Sequence, residues 1–161
     1  MTDLALAGHR LRALGQNKAL ADINEQGIFC GYASVFNQVD GGGDMVMPGA
    51  FRQSLKRRKP KNIRMLFQHD PATPVGVWLD IFEDKHGLFV RGKLTSGVQR
   101  ASELNQLLDQ GAIDGLSIGF KTQRARRDKA TGIRKIYQLD LWEVSLVTFP
   151  MLTSARITRS T

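Results

Sequence analysis

A mainly β fold with flanking helices, an α+β domain, is predicted by three features of the chain. From residue 23 onward, short apolar runs of strand length alternate with clusters of Gly, Pro, Asn and Asp. Within that region two segments, 48–58 and 96–110, carry the apolar spacing of a helix. Residues 115–120 alternate strictly, which places Leu116, Ile118 and Phe120 on one strand face and Ser117 and Gly119 on the other. With 161 residues the chain is long enough for one domain with its own core, without disulfide or metal staples.

Taken in order, residues 1–22 are Ala/Leu-rich with Gly8 and Gly15 weakening any helix, and read as an N-terminal arm or short helix. Residues 23–157 form the domain and 158–161 a short tail. The start lacks the compact apolar block of a secretory signal. No stretch approaches the roughly 18 to 20 apolar residues of a membrane span, so a soluble protein is expected. Residues 27–36 (GIFCGYASVF) form a strand in which Gly31 marks a bulge or a close backbone approach. The Gly-rich run 38–43 is a flexible loop. Segment 48–58 is a basic helix with Pro48 in its first turn and Ala50, Phe51 and Leu55 facing inward.

Residues 63–67 (IRMLF) are a compact strand that delivers Gln68 and His69 to its end, where Asp70-Pro71 breaks the pattern. Strands 75–82 and 88–94 are joined through 83–87, with Gly87 suited to a positive φ and His86 in a solvated turn. Helix 96–110 has Ser96 as its cap, an apolar stripe of Val98, Ala101, Leu104, Leu107 and Leu108, and Gly111 as its terminator. A strand from residue 115 reaches the basic turn 124–127. The last long strand pair begins near residue 133, and 138–149 carries Asp140 and Glu143 inside apolar sequence until Pro150. A carboxylate embedded there needs a partner or a role, because burying it unpaired costs several kcal/mol.

Twenty-three Lys and Arg against 15 Asp and Glu give a formal charge of +8, which favours acidic partners: nucleic acid, an acidic protein segment or an anionic surface. The single Cys30 excludes an intrachain disulfide and a cysteine zinc ribbon, and fits a reducing cytosol. Phosphate-loop, dinucleotide-fingerprint, H-E-x-x-H and G-x-S-x-G patterns are all missing from the sequence, so no cofactor and no metal are expected. What remains is one histidine at a strand end (His69), one serine within GLSIG (Ser117) and one acid within LWEV (Glu143). Serine attack on a carbonyl needs a base within hydrogen-bond reach and a third group that orients the imidazole, roles these three residues are able to fill. Each also has a plain structural reading: a strand-end His, a strand Ser, and a Glu paired with a basic residue.

Five segments matter together: GYASVF at 31–36, GDMVMPGAF at 43–51, FQHDP at 67–71 with PVGV at 74–77, GLSIGF at 115–120, and EVSLVTFP at 143–150. In this order they resemble the prohead protease family of tailed phages, the capsid-maturation serine peptidases related in fold to the herpesvirus assemblins. The resemblance spans about residues 23–157 and implies a small closed β-barrel, of about 6–8 strands by the run count, flanked by helices. It implies Ser117 as nucleophile and His69 as base. Glu143 is the choice for the third member, with Asp140 and Asp70 as fallbacks. The herpesvirus enzymes use a second histidine there, but His86 lies in a turn and His9 in the arm. Asp140 and Glu143 are three apart, so only one should reach His69 from a regular strand unless a bulge intervenes. Arg124, Arg126 and Arg127 resemble by position the herpesvirus segment that contributes to the oxyanion hole.

The resemblance further implies the major capsid protein and the scaffold protein as partners and substrates, together with self-cleavage. It implies a homo-oligomer, a dimer being the form the herpesvirus relatives need, and a location in the host bacterial cytoplasm, inside the assembling procapsid. Nucleic acid is an additional, non-obligatory partner, and no membrane is involved. A second reading, from another class, is a non-catalytic basic β-barrel module that uses Arg52, Lys56, Arg57, Arg58, Lys59, Lys61 and residues 124–127 as phosphate contacts. A third is a thiol peptidase built on Cys30 and His69, against which Cys30 sits inside an apolar strand as core cysteines do.

Overall fold

The computed structural model describes residues 27–158, and within them eight strands make one curled sheet. The strands are β1 (Ile28–Val35), β2 (Asp44–Val46), β3 (Arg64–Phe67), β4 (Asp70–Glu83), β5 (Gly87–Leu94), β6 (Gly115–Arg127), β7 (Arg134–Val147) and β8 (Ile157–Thr158). The helices are α1 (Arg52–Arg57) and α2 (Gln99–Asp109), with a 3₁₀ turn at Pro60–Asn62. The sheet runs β2-β7-β3-β4-β5-β1-β8, and β6 also pairs with β7. β3 and β2 lie parallel to β7, whereas β6 lies antiparallel to it. The two ends of the curl meet where Leu116 N–H donates to Ala155 O (2.9 Å) and Ile157 N–H to Asp114 O (2.8 Å). The arm predicted over 1–22, and His9 with it, lies outside the described residues.

One apolar cluster fills the curl, drawn from Phe29, Met65, Val75, Trp78, Leu88, Leu116, Leu139, Leu141, Val144 and Leu146. Each fully buried side chain of this size contributes about 1.5–3 kcal/mol of transfer free energy. From α2 only Ala101, Leu104 and Leu108 are buried, so the inner stripe is narrower than predicted and Val98 and Leu107 face outward.

Several predicted boundaries are corrected by backbone geometry. Gly49 sits at φ +91°, outside helical space, so α1 starts at Arg52 rather than near Pro48, and Glu83 instead accepts hydrogen bonds from the Gly49 and Phe51 N–H groups. Gly97 at φ +82° likewise delays α2 to Gln99, and Ser96 does not cap it. The end is as predicted: Gly111 N–H donates to Leu108 O and Ala112 N–H to Leu107 O, the paired bonds of a Schellman motif. Gly87 does not take a positive φ; a Cβ there would lie 3.0 Å from Val35 Cα, so the neighbouring strand is what excludes a side chain.

β4 begins at Asp70, not beyond it, because β3 and β4 close a two-residue hairpin whose flanking pair is Phe67 and Asp70. The two turn residues, Gln68 (φ 54°) and His69 (φ 58°), are both left-handed. That is the backbone of a primed hairpin turn, which ordinarily selects Asn or Gly.

Candidate active site

The strained Gln68–His69 turn is held from β7. Gln68 N–H donates to Leu146 O (2.9 Å), the Gln68 amide exchanges hydrogen bonds with Thr148, and His69 N–H donates to Ser145 Oγ (3.0 Å). Two adjacent non-glycine residues in left-handed space cost of order 1–3 kcal/mol each and persist only where the surroundings over-determine them. Here the surroundings aim the His69 ring at Glu143.

His69 Nδ1 and Glu143 Oε1 are in direct contact, and the other carboxylate oxygen, Oε2, accepts the Ser145 hydroxyl at 2.7 Å. The hydrogen bond to the Glu143 carboxylate raises the His69 pKa above its ordinary 6.5; partial burial opposes it, and the Glu143 charge adds to the rise. Because Nδ1 faces the carboxylate, Nε2 is the nitrogen left for chemistry.

A bulge brings Glu143 to this position. Gly119 pairs with Glu143 and Phe120 with Leu141, which leaves Trp142 without a partner in the β6–β7 ladder. The alternation shifts there: Leu139 and Leu141 are buried before it, Val144 and Leu146 after it. Asp140 and Glu143 therefore share a side, yet only Glu143 meets the histidine. Asp140 is committed to the Arg58 guanidinium (3.1 and 3.2 Å), the Trp142 indole N–H (2.7 Å) and the Ser54 hydroxyl. Burial alone would raise its pKa, but those partners hold it below the usual carboxylate range. Asp70 closes its own loop through Ala72 N–H and the Thr73 hydroxyl.

Ser117 stands on β6 directly opposite Ser145, and it lines, with His69, a cavity of about 200 Å³. Ala33, Val35, Val46, Ile118, Phe120 and Leu152 make much of its wall apolar, and Asp40 and Asp44 edge it. Among the described residues the Ser117 hydroxyl makes no hydrogen bond, to His69 or otherwise.

Other predicted candidates fall elsewhere. Arg124, Arg126 and Arg127 do not line the cavity, because β6 is extended and at ~3.3 Å per residue carries Arg124 about 20 Å beyond Ser117. Arg124 lies over the Tyr137 ring and Arg127 donates to Gly132 O. The Arg58 guanidinium, assigned to phosphate in the nucleic-acid reading, is taken by Asp140. His86 packs its ring edge against Tyr32 in the β4–β5 turn. Cys30 lies outside the cavity wall, and burial pushes its thiol pKa up despite nearby Arg91, which disfavours a thiolate.

Ser145 went unassigned in the sequence, and Gly119 was placed on the Ser117 face without a role. Their signal was available in part. Glu143 and Ser145 are two apart and hence share a strand face, but what they face, Gly119 opposite Glu143 and Ser117 opposite Ser145, is set only once β6 pairs with β7.

Residues 16–161 match the family described as Caudovirus prohead serine protease. The chain is 43% identical over 138 residues to the prohead protease of Enterobacteria phage HK97, covering 83% of this chain and 60% of that protein. It is 31% identical over 121 residues to the prohead protease of Escherichia phage T5, covering 74% and 56% respectively. The matched region thus spans less than two thirds of either relative. Among solved structures, the capsid assembly protease of bacteriophage T4 aligns with a TM-score of 0.63 at 14% identity, covering 74% of this chain and 80% of that one. The KSHV protease in complex with a hexapeptide phosphonate inhibitor aligns at 0.57 and 16% identity, covering 81% and 63%. At such identities these two likenesses speak for the fold.

Proposed function

Because the chain belongs to the Caudovirus prohead serine protease family, we propose that it is a serine endopeptidase of procapsid maturation in which Ser117 is the nucleophile, His69 the general base and Glu143 the orienting acid. The observation that carries this reading is the His69–Glu143 contact at the rim of a cavity whose wall includes Ser117. Ser117 Oγ attacks the scissile carbonyl carbon while His69 Nε2 takes the hydroxyl proton. The imidazolium that forms is stabilised by Glu143, already joined to Nδ1. Collapse of the tetrahedral intermediate breaks the C–N bond, and His69 returns the proton to the leaving amine. Water, deprotonated by the same Nε2, then hydrolyses the acyl-enzyme and regenerates the Ser117 hydroxyl.

The substrates are the scaffold protein or the scaffolding domain of the major capsid protein, and the enzyme itself, within the procapsid in the host cytoplasm. The +8 charge supports a substrate rich in acidic residues, drawn in by a complementary field. Removing scaffold deletes contacts that favour the immature shell.

The test is intact-mass spectrometry of the wild type and of Ser117→Ala, each co-expressed with the capsid and scaffold proteins. Truncated chains with the wild type and full-length chains with the variant are expected. Identical truncation in both removes Ser117 as nucleophile, and assembled particles without truncation in either refute the peptidase reading.

A further inference from the structure

Ser145 is fully buried on β7, one pairing row from both neighbours of the site: opposite Ser117 on β6 and opposite Leu66 on β3. Its single hydroxyl makes two bonds. It donates to Glu143 Oε2 at 2.7 Å and accepts the His69 backbone N–H at 3.0 Å. The first fixes the rotation of the carboxylate, so that Oε1 is the oxygen presented to Nδ1. The second satisfies the one backbone donor that the left-handed turn would otherwise leave unpaired beside β7. With no exposed surface, the hydroxyl does not meet substrate.

We propose that Ser145 is the positioning residue of this site, whose hydroxyl locks the orienting acid and the backbone of the base to each other so that both are presented to Ser117 as one unit. The inference rests on the peptidase reading above. A hydroxyl on both groups is a different device from a residue that merely fills space. Its loss frees the carboxylate to rotate away from the ring and releases the turn that carries the ring.

The experiment compares Ser145→Thr with Ser145→Val, which share a shape and differ in the hydroxyl, and adds Ser145→Ala, which introduces no extra volume. Two readouts are taken on folded protein: the NMR titration of the His69 imidazole, and kcat and KM for cleavage of purified scaffold. Removing the hydrogen bonds that orient histidine and carboxylate ligands at metal centres costs roughly 10- to 100-fold, and that sets the scale here. Ser145→Ala and Ser145→Val are expected to lose kcat on that scale with KM within about threefold, and to move the His69 titration down towards 6.5, while Ser145→Thr keeps both nearer the wild type. A Ser145→Ala protein with wild-type titration and wild-type kcat overturns the proposal, whatever the two larger residues do. Should the wild type cleave nothing, the titration still decides: a hydroxyl-dependent shift upholds the positioning role while the peptidase reading falls, and a titration identical in all variants removes the role itself.

Discussion

Gly119 lies directly opposite Glu143 in the β6–β7 ladder, and the Glu143 side chain occupies the space where a side chain at 119 would begin: a Cβ there would stand 2.7 Å from both Cγ and Cδ. The glycine two residues after Ser117 is therefore needed for room. Gly119→Ala forces the carboxylate off its line to His69. Since a displacement of about 1 Å in a catalytic array costs on the order of 10²-fold, scaffold cleavage by Gly119→Ala is expected to fall by about that factor, as followed by intact mass over time. Cleavage at the wild-type rate would show that Glu143 does not need this position.

The pH profile follows from the raised His69 pKa. The base acts in its neutral form, so kcat/KM is expected to fall as pH drops through a value above 6.5. Glu143→Gln removes the cause and moves that acidic limb down, with a lower plateau. The stability linkage runs the other way. A folded pKa above the unfolded one contributes stability that is fully present below the unfolded value and is lost as pH rises through the folded value. The site thus becomes active over the range in which the ion pair ceases to stabilise the fold. A pH–rate profile of the two proteins, beside thermal unfolding at pH 5.5 and 8.5 (chosen as about one unit or more outside the ordinary histidine value), checks both signs.

Ser117 and Gly119 were legible in the sequence because strict alternation over 115–120 needs no tertiary information. His69 at a strand end and the β4–β5 hairpin were legible for a similar reason, being bounded by Gly and Pro. The Gln68–His69 turn was not. Neither residue favours left-handed backbone, and the β7 groups that hold them there, Leu146 O and Ser145 Oγ, lie far along the chain. The bulge at Trp142 was equally hidden, since the phase shift that puts Asp140 and Glu143 on one side appears only once β6 is paired. The late starts of both helices, by contrast, were written in Gly49 and Gly97, and the apolar spacing outweighed them in the reading.

Asp140 and Glu143 separate cleanly by mutation. Asp140→Asn keeps scaffold cleavage near the wild-type rate, because Asp140 is engaged with Arg58, Trp142 and Ser54. It lowers stability by about 1 kcal/mol, the charge-assisted bonds being discounted for the partial exposure of Arg58. Glu143→Gln lowers the cleavage rate instead. Urea unfolding of both variants with a cleavage assay on the same samples checks the pair, and a cleavage-dead Asp140→Asn that is otherwise stable would exchange their assignments.

Gly31 tests how the closure of the sheet reaches the site. It pairs with Ile157 of β8, and a Cβ at this position would stand 2.9 Å from Ile157 Cα and 3.0 Å from the Arg156 carbonyl carbon. Gly31→Ala therefore pushes the 155–157 segment outward, where overpacking of this kind costs about 1–3 kcal/mol. That same segment supplies Ala155 O to the Leu116 N–H and donates the Ile157 N–H to Asp114 O, so the strain is delivered to the residue preceding Ser117. Hydrogen exchange at the Leu116 and Ile157 amides is expected to accelerate together, and cleavage to fall with them, while the amides of α2 exchange as before. Unchanged exchange at Leu116 in a destabilised Gly31→Ala protein would mean that the closure and the strand carrying Ser117 are held independently, and that the β6–β7 ladder alone positions Ser117.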